Sequence, residues 1–119
     1  MSNDTLQMTM LFDFFGDLLT EKQREYFDLY HNEDLSLSEI AVQTGISRQG
    51  VHDNINRAEN ALLELEEKTG VVRRWTETRI GLEQAEFLAQ KLLTLSEHNP
   101  QAKQAAQKLV KTLQALADN

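Results

Sequence analysis

Residues 35–58, Leu-Ser-Leu-Ser-Glu-Ile-Ala-Val-Gln-Thr-Gly-Ile-Ser-Arg-Gln-Gly-Val-His-Asp-Asn-Ile-Asn-Arg-Ala, constrain this chain more than any other stretch. They read as two helices joined by a sharp turn. Ser36 can cap the first helix, and Glu39 stands at the third position, where a capping box places its carboxylate. Ile40 and Ala41 fall on that helix's inner side. Gly45 supplies the positive-φ residue that lets the second helix enter at a steep angle, and Ile46 plugs the corner. Ser47 can cap the second helix, whose Val51, Ile55, Ala58 and Leu62 recur at offsets of four, three and four and predict one buried stripe. Arg48, Gln49, His52, Asp53 and Asn56 are left outside. In a nucleic-acid-binding helix-turn-helix, that face reads bases.

The rest of the chain is helical in pattern, with no alternating β segments. Thr5 to Phe15 predicts a first helix, with Leu6, Met10, Phe14 and Leu18 as a four-spaced stripe and Leu11, Phe12 and Phe15 beside it. Thr20 and Gln23 make a second capping box, opening a helix whose inner face is Tyr26, Phe27 and Tyr30, with Leu29 alongside. Residues 31–34 read as a turn, and Thr69-Gly70 as the stop of the long motif helix. Val71 to Trp75 is either a brief loop or the start of the next helix. That helix runs to about Glu97, with Leu82, Ala85, Leu88 or Ala89, Leu92 and Leu95 on one side. Asn99-Pro100 ends it. A last helix, from Pro100 to Ala117, shows Ala102, Ala105 or Ala106, Leu109, Leu113 and Leu116 in a near-heptad seam. The expected architecture is all-α: a helix-turn-helix unit of four helices over residues 1–70, then a helical hairpin over 71–119 that packs intramolecularly or forms a homodimer.

Composition narrows the functions. The chain has no cysteine, which excludes disulfides, thiolate zinc sites and cysteine nucleophiles and fits a reducing cytoplasm. The apolar run from Met8 to Phe15 is short and flanked by Asp4, Asp13 and Asp17, unlike a signal peptide, and no run is long enough to span a membrane. The expected location is cytoplasmic. His31, His52 and His98 lack metal-ligand spacing, and neither a glycine-rich phosphate loop nor a nucleophile beside a base is evident, so neither a cofactor nor an enzyme is expected. The net charge is −7, and residues 20–60, which carry the motif, hold four cations against eight carboxylates. Duplex binding draws most of its non-specific affinity from cations on phosphates, so this balance weighs against it.

A longer run carries a family resemblance. Residues 10–30, MLFDFFGDLLTEKQREYFDLY, then 34–41, DLSLSEIA, and 45–53, GISRQGVHD, resemble the YlxM-like family of small bacterial helix-turn-helix proteins. The similarity fades near Arg73-Arg74, and the part from about Thr76 departs from the family's pattern. The resemblance implies a fold like region 4 of bacterial sigma factors, a regulatory role, DNA binding inferred from that fold, and a tie to the signal recognition particle pathway.

Each candidate residue has a functional and a plain reading. Arg48 can bond guanine or a phosphate and Gln49 adenine, or both can simply start a solvated helix. Ser47 caps the helix in either case, with its hydroxyl near any bound phosphate. His52 and Asn56, one turn apart, contact bases or backbone or are only polar surface, and Arg57 extends the same set. Asp53 repels phosphates unless it accepts from a cytosine amino group. Trp75 with Arg73, Arg74 and Arg79 either stacks on single-stranded nucleic acid or, preferably, packs between the two units while the arginines meet Glu64, Glu66 and Glu67. Two functions follow: a regulatory protein binding DNA or RNA through Ser47, Arg48, Gln49, His52, Asn56 and Arg57, or an acidic adaptor docking on the signal recognition particle GTPase or its receptor.

Overall fold

The computed structural model describes residues 5–118, and they contain six α-helices and no strand: α1 Thr5–Phe15, α2 Glu21–Phe27, α3 Leu37–Thr44, α4 Arg48–Thr69, α5 Val71–Leu95 and α6 Pro100–Ala117. Two compact units result, Met1–Val72 and Arg73–Asn119. The division falls just inside α5, because the Val72 side chain is buried among Leu11, Phe15, Ala58 and Leu62 of the first unit.

Local chemistry fixes the helix ends. The Thr20 hydroxyl accepts from the Gln23 amide N–H while the Gln23 side chain accepts from the Thr20 N–H, and Ser36 and Glu39 repeat the exchange at α3. The Ser36 backbone N–H also holds the Glu39 carboxyl below its ordinary value. Gly45 takes φ +80° and Gly70 φ +63°, the left-handed conformation that ends α3 and α4 and that a Cβ would strain. No loop intervenes after Gly70, so residues 71–75 are helical.

The first unit has two apolar cores, and α4 is common to both. Val51 and Ile55, in its N-terminal half, pack with Tyr26, Leu29 and Ile40. Ala58 and Leu62, in the middle of the helix, pack with Met8, Leu11, Phe15, Leu19 and Phe27. The face of α1 that is buried is therefore Met8, Leu11 and Phe15, continued by Leu19 beyond the helix end; Leu11 and Phe15, expected beside the stripe, are inside, while of the expected row Leu6, Met10, Phe14 and Leu18 only Met10 is partly buried. Both rows have helical spacing. Their burial is decided by which one meets Phe27 and Leu62.

α2 does not end in the expected turn at His31. Its last turn widens into a π-helical segment, Asp28–Asn32, closed by the Glu33 N–H donating to the Asp28 carbonyl at 3.0 Å. Asp34 follows at φ +58°, and the Leu35 N–H returns to the Leu29 carbonyl. The extra residue carries His31 to α4, where its Nε2 lies 2.6 Å from Glu59 Oε2.

In the second unit α5 and α6 run antiparallel. Gln114 donates to Glu86 at 3.4 Å, Arg79 donates to the Ala117 carbonyl, and Asn99 caps α6 with Pro100 in its first turn. The seam buries small residues, Ala89, Ser96, Ala106 and Val110. Of the pairs the spacing leaves open, Leu88 or Ala89 and Ala105 or Ala106, the buried members are Ala89 and Ala106, while Leu92, Leu95, Leu109 and Leu116, expected on the same apolar sides, stand exposed with Leu88. The tie between Arg79 and Ala117 and the cap at Asn99 hold the two ends of the hairpin.

Candidate nucleic-acid interface

The candidate face is built on the start of α4. Ser47 adopts extended backbone and its hydroxyl accepts from the Gly50 N–H at 3.0 Å, so its oxygen already serves the cap that the sequence predicts. Gly50 leaves room there: a Cβ at this position would lie 3.2 Å from Ser47 Oγ and 3.3 Å from Ile46. Burial of Val51, Ile55, Ala58 and Leu62 then dictates what faces water. Arg48, Gln49, His52, Asp53, Asn56 and Arg57 are all exposed.

The expected residues do share one face, but its centre is internally bonded. The Gln49 amide donates to Asp53 Oδ1 at 3.0 Å. Asp53 also lies 3.9 Å from His52 Nδ1, and the Asn56 amide approaches that same nitrogen at 3.4 Å. Gln49 spends one amide N–H on Asp53, which fixes its side chain and leaves the second N–H and Oε1 for an adenine edge. The signal for this bond was in the sequence, since residues four apart on a helix meet.

Arg48 and Arg57 are different. Neither guanidinium has a hydrogen-bond or ion-pair partner among the described residues. They are nine residues apart, about 13.5 Å along the helix, on opposite shoulders of the polar face. That length is comparable to the roughly 12 Å width of the DNA major groove. The arrangement offers a cation on each shoulder and amides, an imidazole and one carboxylate between them. Arg48, Gln49 and His52 also line a shallow cleft of about 420 Å³ with Leu37 at the start of α3.

The other candidates lie elsewhere. Trp75 is 43% exposed, with the Arg79 guanidinium 5.5 Å from its ring centroid. Among the described residues, no three His, Asp or Glu side chains come together to hold a metal ion, and no helix is long and apolar enough to cross a membrane. The sequence places His31 in a turn. Its buried contact with Glu59 could not be seen in a sequence where the two lie 28 residues apart.

Comparison with known proteins bears on this geometry. Residues 2–111 match a family model, UPF0122, described as "Putative helix-turn-helix protein, YlxM / p13 like". A UPF0122 protein of Thermoanaerobacter sp. (strain X514) is 53% identical over 77 residues, covering 65% of this chain and 66% of that protein, just under two thirds of its length. Another, from Halalkalibacterium halodurans, is 44% identical over 97 residues, 82% of this chain and 89% of the relative. A third, from Bacillus cereus (strain AH187), is 40% identical over 109 residues, 92% of this chain and 99% of the relative. The likeness thus does not fade near Arg73-Arg74, as the resemblance alone suggests, but takes in most of the C-terminal hairpin.

Proposed function

Because the chain belongs to the UPF0122 family of YlxM/p13-like helix-turn-helix proteins, we propose that it is a regulatory protein that binds nucleic acid through the exposed face of α4. The observation that carries this reading is the pair Arg48 and Arg57 on the two shoulders of that face, neither with a partner among the described residues. Arginines so placed suit phosphates or guanine edges. Between them Gln49, Asn56 and His52 can reach base edges, Asp53 accepts from a cytosine amino group, and the Ser47 end of α4 points amides at a phosphate. Selection from DNA and RNA pools, followed by titration at low salt, tests it. Arg48→Ala should cost about 1–3 kcal/mol at the selected site and relax the preference there. No saturable binding to either pool would reject the reading.

A second reading has its own observation. Residues 1–72 hold five cations against fourteen carboxylates, net −9. Val42 is 86% exposed on α3, an apolar point on this acidic unit. Such a surface suits a basic protein partner, and the family resemblance points to the signal recognition particle GTPase or its receptor in the cytoplasm. Calorimetry with those two purified proteins decides, since docking of this kind weakens steeply with salt.

The hairpin supports self-association. Leu88, Leu92 and Leu95 of α5 and Leu109 and Leu116 of α6 share one flank, opposite the side where Gln90, Gln104 and Gln107 line a groove. Five exposed leucines form a patch on the scale of the largest on ordinary monomers, roughly 300–600 Å². Pairing it with itself across a two-fold axis hides about 1,000 Å², the lower bound of a specific interface. Sedimentation should show a dimer at micromolar concentration that Leu88→Gln with Leu92→Gln converts to monomer. A monomer at all concentrations would overturn the homodimer.

A further inference from the structure

The charge of this chain is unevenly distributed. Residues 73–119 hold seven cations against five carboxylates, net +2, beside the −9 of residues 1–72. Within the second unit the segregation is sharper. α6 carries Lys103, Lys108, Lys111 and four glutamines and not one carboxylate. The acids of this unit are Glu77, Glu83 and Glu86 on α5, Glu97 in the turn and Asp118 after α6.

Offsets of three and four place Gln104, Gln107, Lys108 and Lys111 on one side of α6. There they line a groove with Gln90 of α5 over a floor of Leu93 and Val110. Lys103 lies on the exposed surface one turn before Gln107. None of the three lysines has an ion-pair partner among the described residues. The Glu86 carboxylate beside this side accepts from Gln114. The exposed leucines occupy the opposite flank, and on the lysine side the apolar surface is limited to Phe87, one turn from Gln90, and the Leu93 and Val110 floor, while α6 itself presents only ammonium groups and amides there.

We propose that Lys103, Lys108 and Lys111, with Gln104 and Gln107, form a second nucleic-acid contact that grips the phosphate backbone without reading sequence. Ammonium groups suit phosphates as mobile point charges, and glutamine amides donate to phosphate and sugar oxygens. Lys103 to Lys111 spans about 12 Å of helix, the axial length of three to four nucleotides of one strand. The surface adds phosphate contacts to the few that the acidic motif unit offers through Arg48 and Arg57. It rests on the nucleic-acid reading above and adds a site to it.

The test uses the full chain, a mixed-sequence DNA duplex and a single-stranded RNA, titrated across a salt series. The variant is K103Q with K108Q and K111Q. Lysine and glutamine have nearly equal helix propensity, so α6 should stand, which circular dichroism checks. Three phosphate contacts on duplex DNA contribute about 2.7 to the slope of log affinity against log salt. Between about 50 and 200 mM salt the native chain should therefore lose roughly 40-fold more duplex affinity than the variant. Arg48→Ala should instead lower affinity for the preferred site over others. A variant slope equal to the native one overturns the α6 contact, including the case where the variant loses only an acidic protein partner. Loss of binding in the lysine variant, with Arg48→Ala neutral, supports the α6 contact and removes the α4 reading. No binding of either probe at low salt overturns both.

Discussion

Replacing Phe27 with alanine should remove about 3–5 kcal/mol from the stability of the first unit, as expected for truncating a fully buried aromatic. Phe27 is 0% exposed and belongs to the core that ties α1 to α4. One face of its ring stacks on Phe12, with centroids 4.6 Å apart and planes 8° from parallel, and it also stacks on His31, at 4.3 Å. Alanine would leave a cavity between three helices and strip both stacking partners, beyond the apolar area lost. Small domains hold about 5–15 kcal/mol in total, so the loss takes a large share. Urea unfolding followed by the far-ultraviolet helical signal measures it. Phe27→Leu, which keeps most of the volume, should cost less. A Phe27→Ala loss below about 1 kcal/mol would show that this core is not what fixes α4. The functional consequence is direct, because α4 presents Arg48 and Arg57 only while its buried stripe is seated.

The same core shows which parts of the molecule were legible in advance. Caps are local: Thr20 with Gln23, Ser36 with Glu39, Ser47, Gly45, Gly70 and Asn99 with Pro100 each act within a few residues, so their chemistry can be read from the chain. The motif stripe of α4 was legible for a related reason, since only one row of that helix is apolar. α1 has two such rows. Spacing alone cannot tell Leu6-Met10-Phe14-Leu18 from Met8-Leu11-Phe15-Leu19, and the choice belongs to Phe27 and Leu62, distant in sequence. In the hairpin the spacing names both alanines and leucines, and the seam closes on Ala89 and Ala106 with Ser96 and Val110, leaving Leu92, Leu95, Leu109 and Leu116 outside. The polar face of α4 was identified as a set. Its internal bond between Gln49 and Asp53 was available from their spacing, while the freedom of Arg48 and Arg57 depends on what the fold places near them. The π-helical turn has no simple residue signature, and with it went the position of His31.

That turn leads to the second large effect. His31 and Glu59 join the end of α2 to the middle of α4, with side chains only 3% and 14% exposed. The pair ends a column that begins at Phe12 and runs through Phe27 and the imidazole, with Tyr30 against the ring edge at 5.1 Å. Glu59→Ala would leave an imidazole nitrogen shut from water with no partner, a change expected to cost about 3 kcal/mol. Glu59→Gln keeps a side-chain oxygen and amide within reach of Nε2 and should cost less than half as much. If the contact acts as a unit, Glu59→Ala with His31→Leu should be less destabilising than the two single changes added together. Additive losses would show that the two groups do not depend on each other. Glu59 lies two residues beyond Arg57, so the same variants connect stability to recognition. When the tie is lost while the unit stays folded, α4 is held by its apolar stripe alone. The shoulder at Arg57 should then lose more of its phosphate contact than the shoulder at Arg48, which the Ser47 cap still holds. Salt-series titrations of Glu59→Gln and Glu59→Ala, each compared with its Arg57→Ala double variant, read that difference. Equal Arg57 contributions in the two backgrounds would show that His31 and Glu59 stabilise the fold without orienting the face.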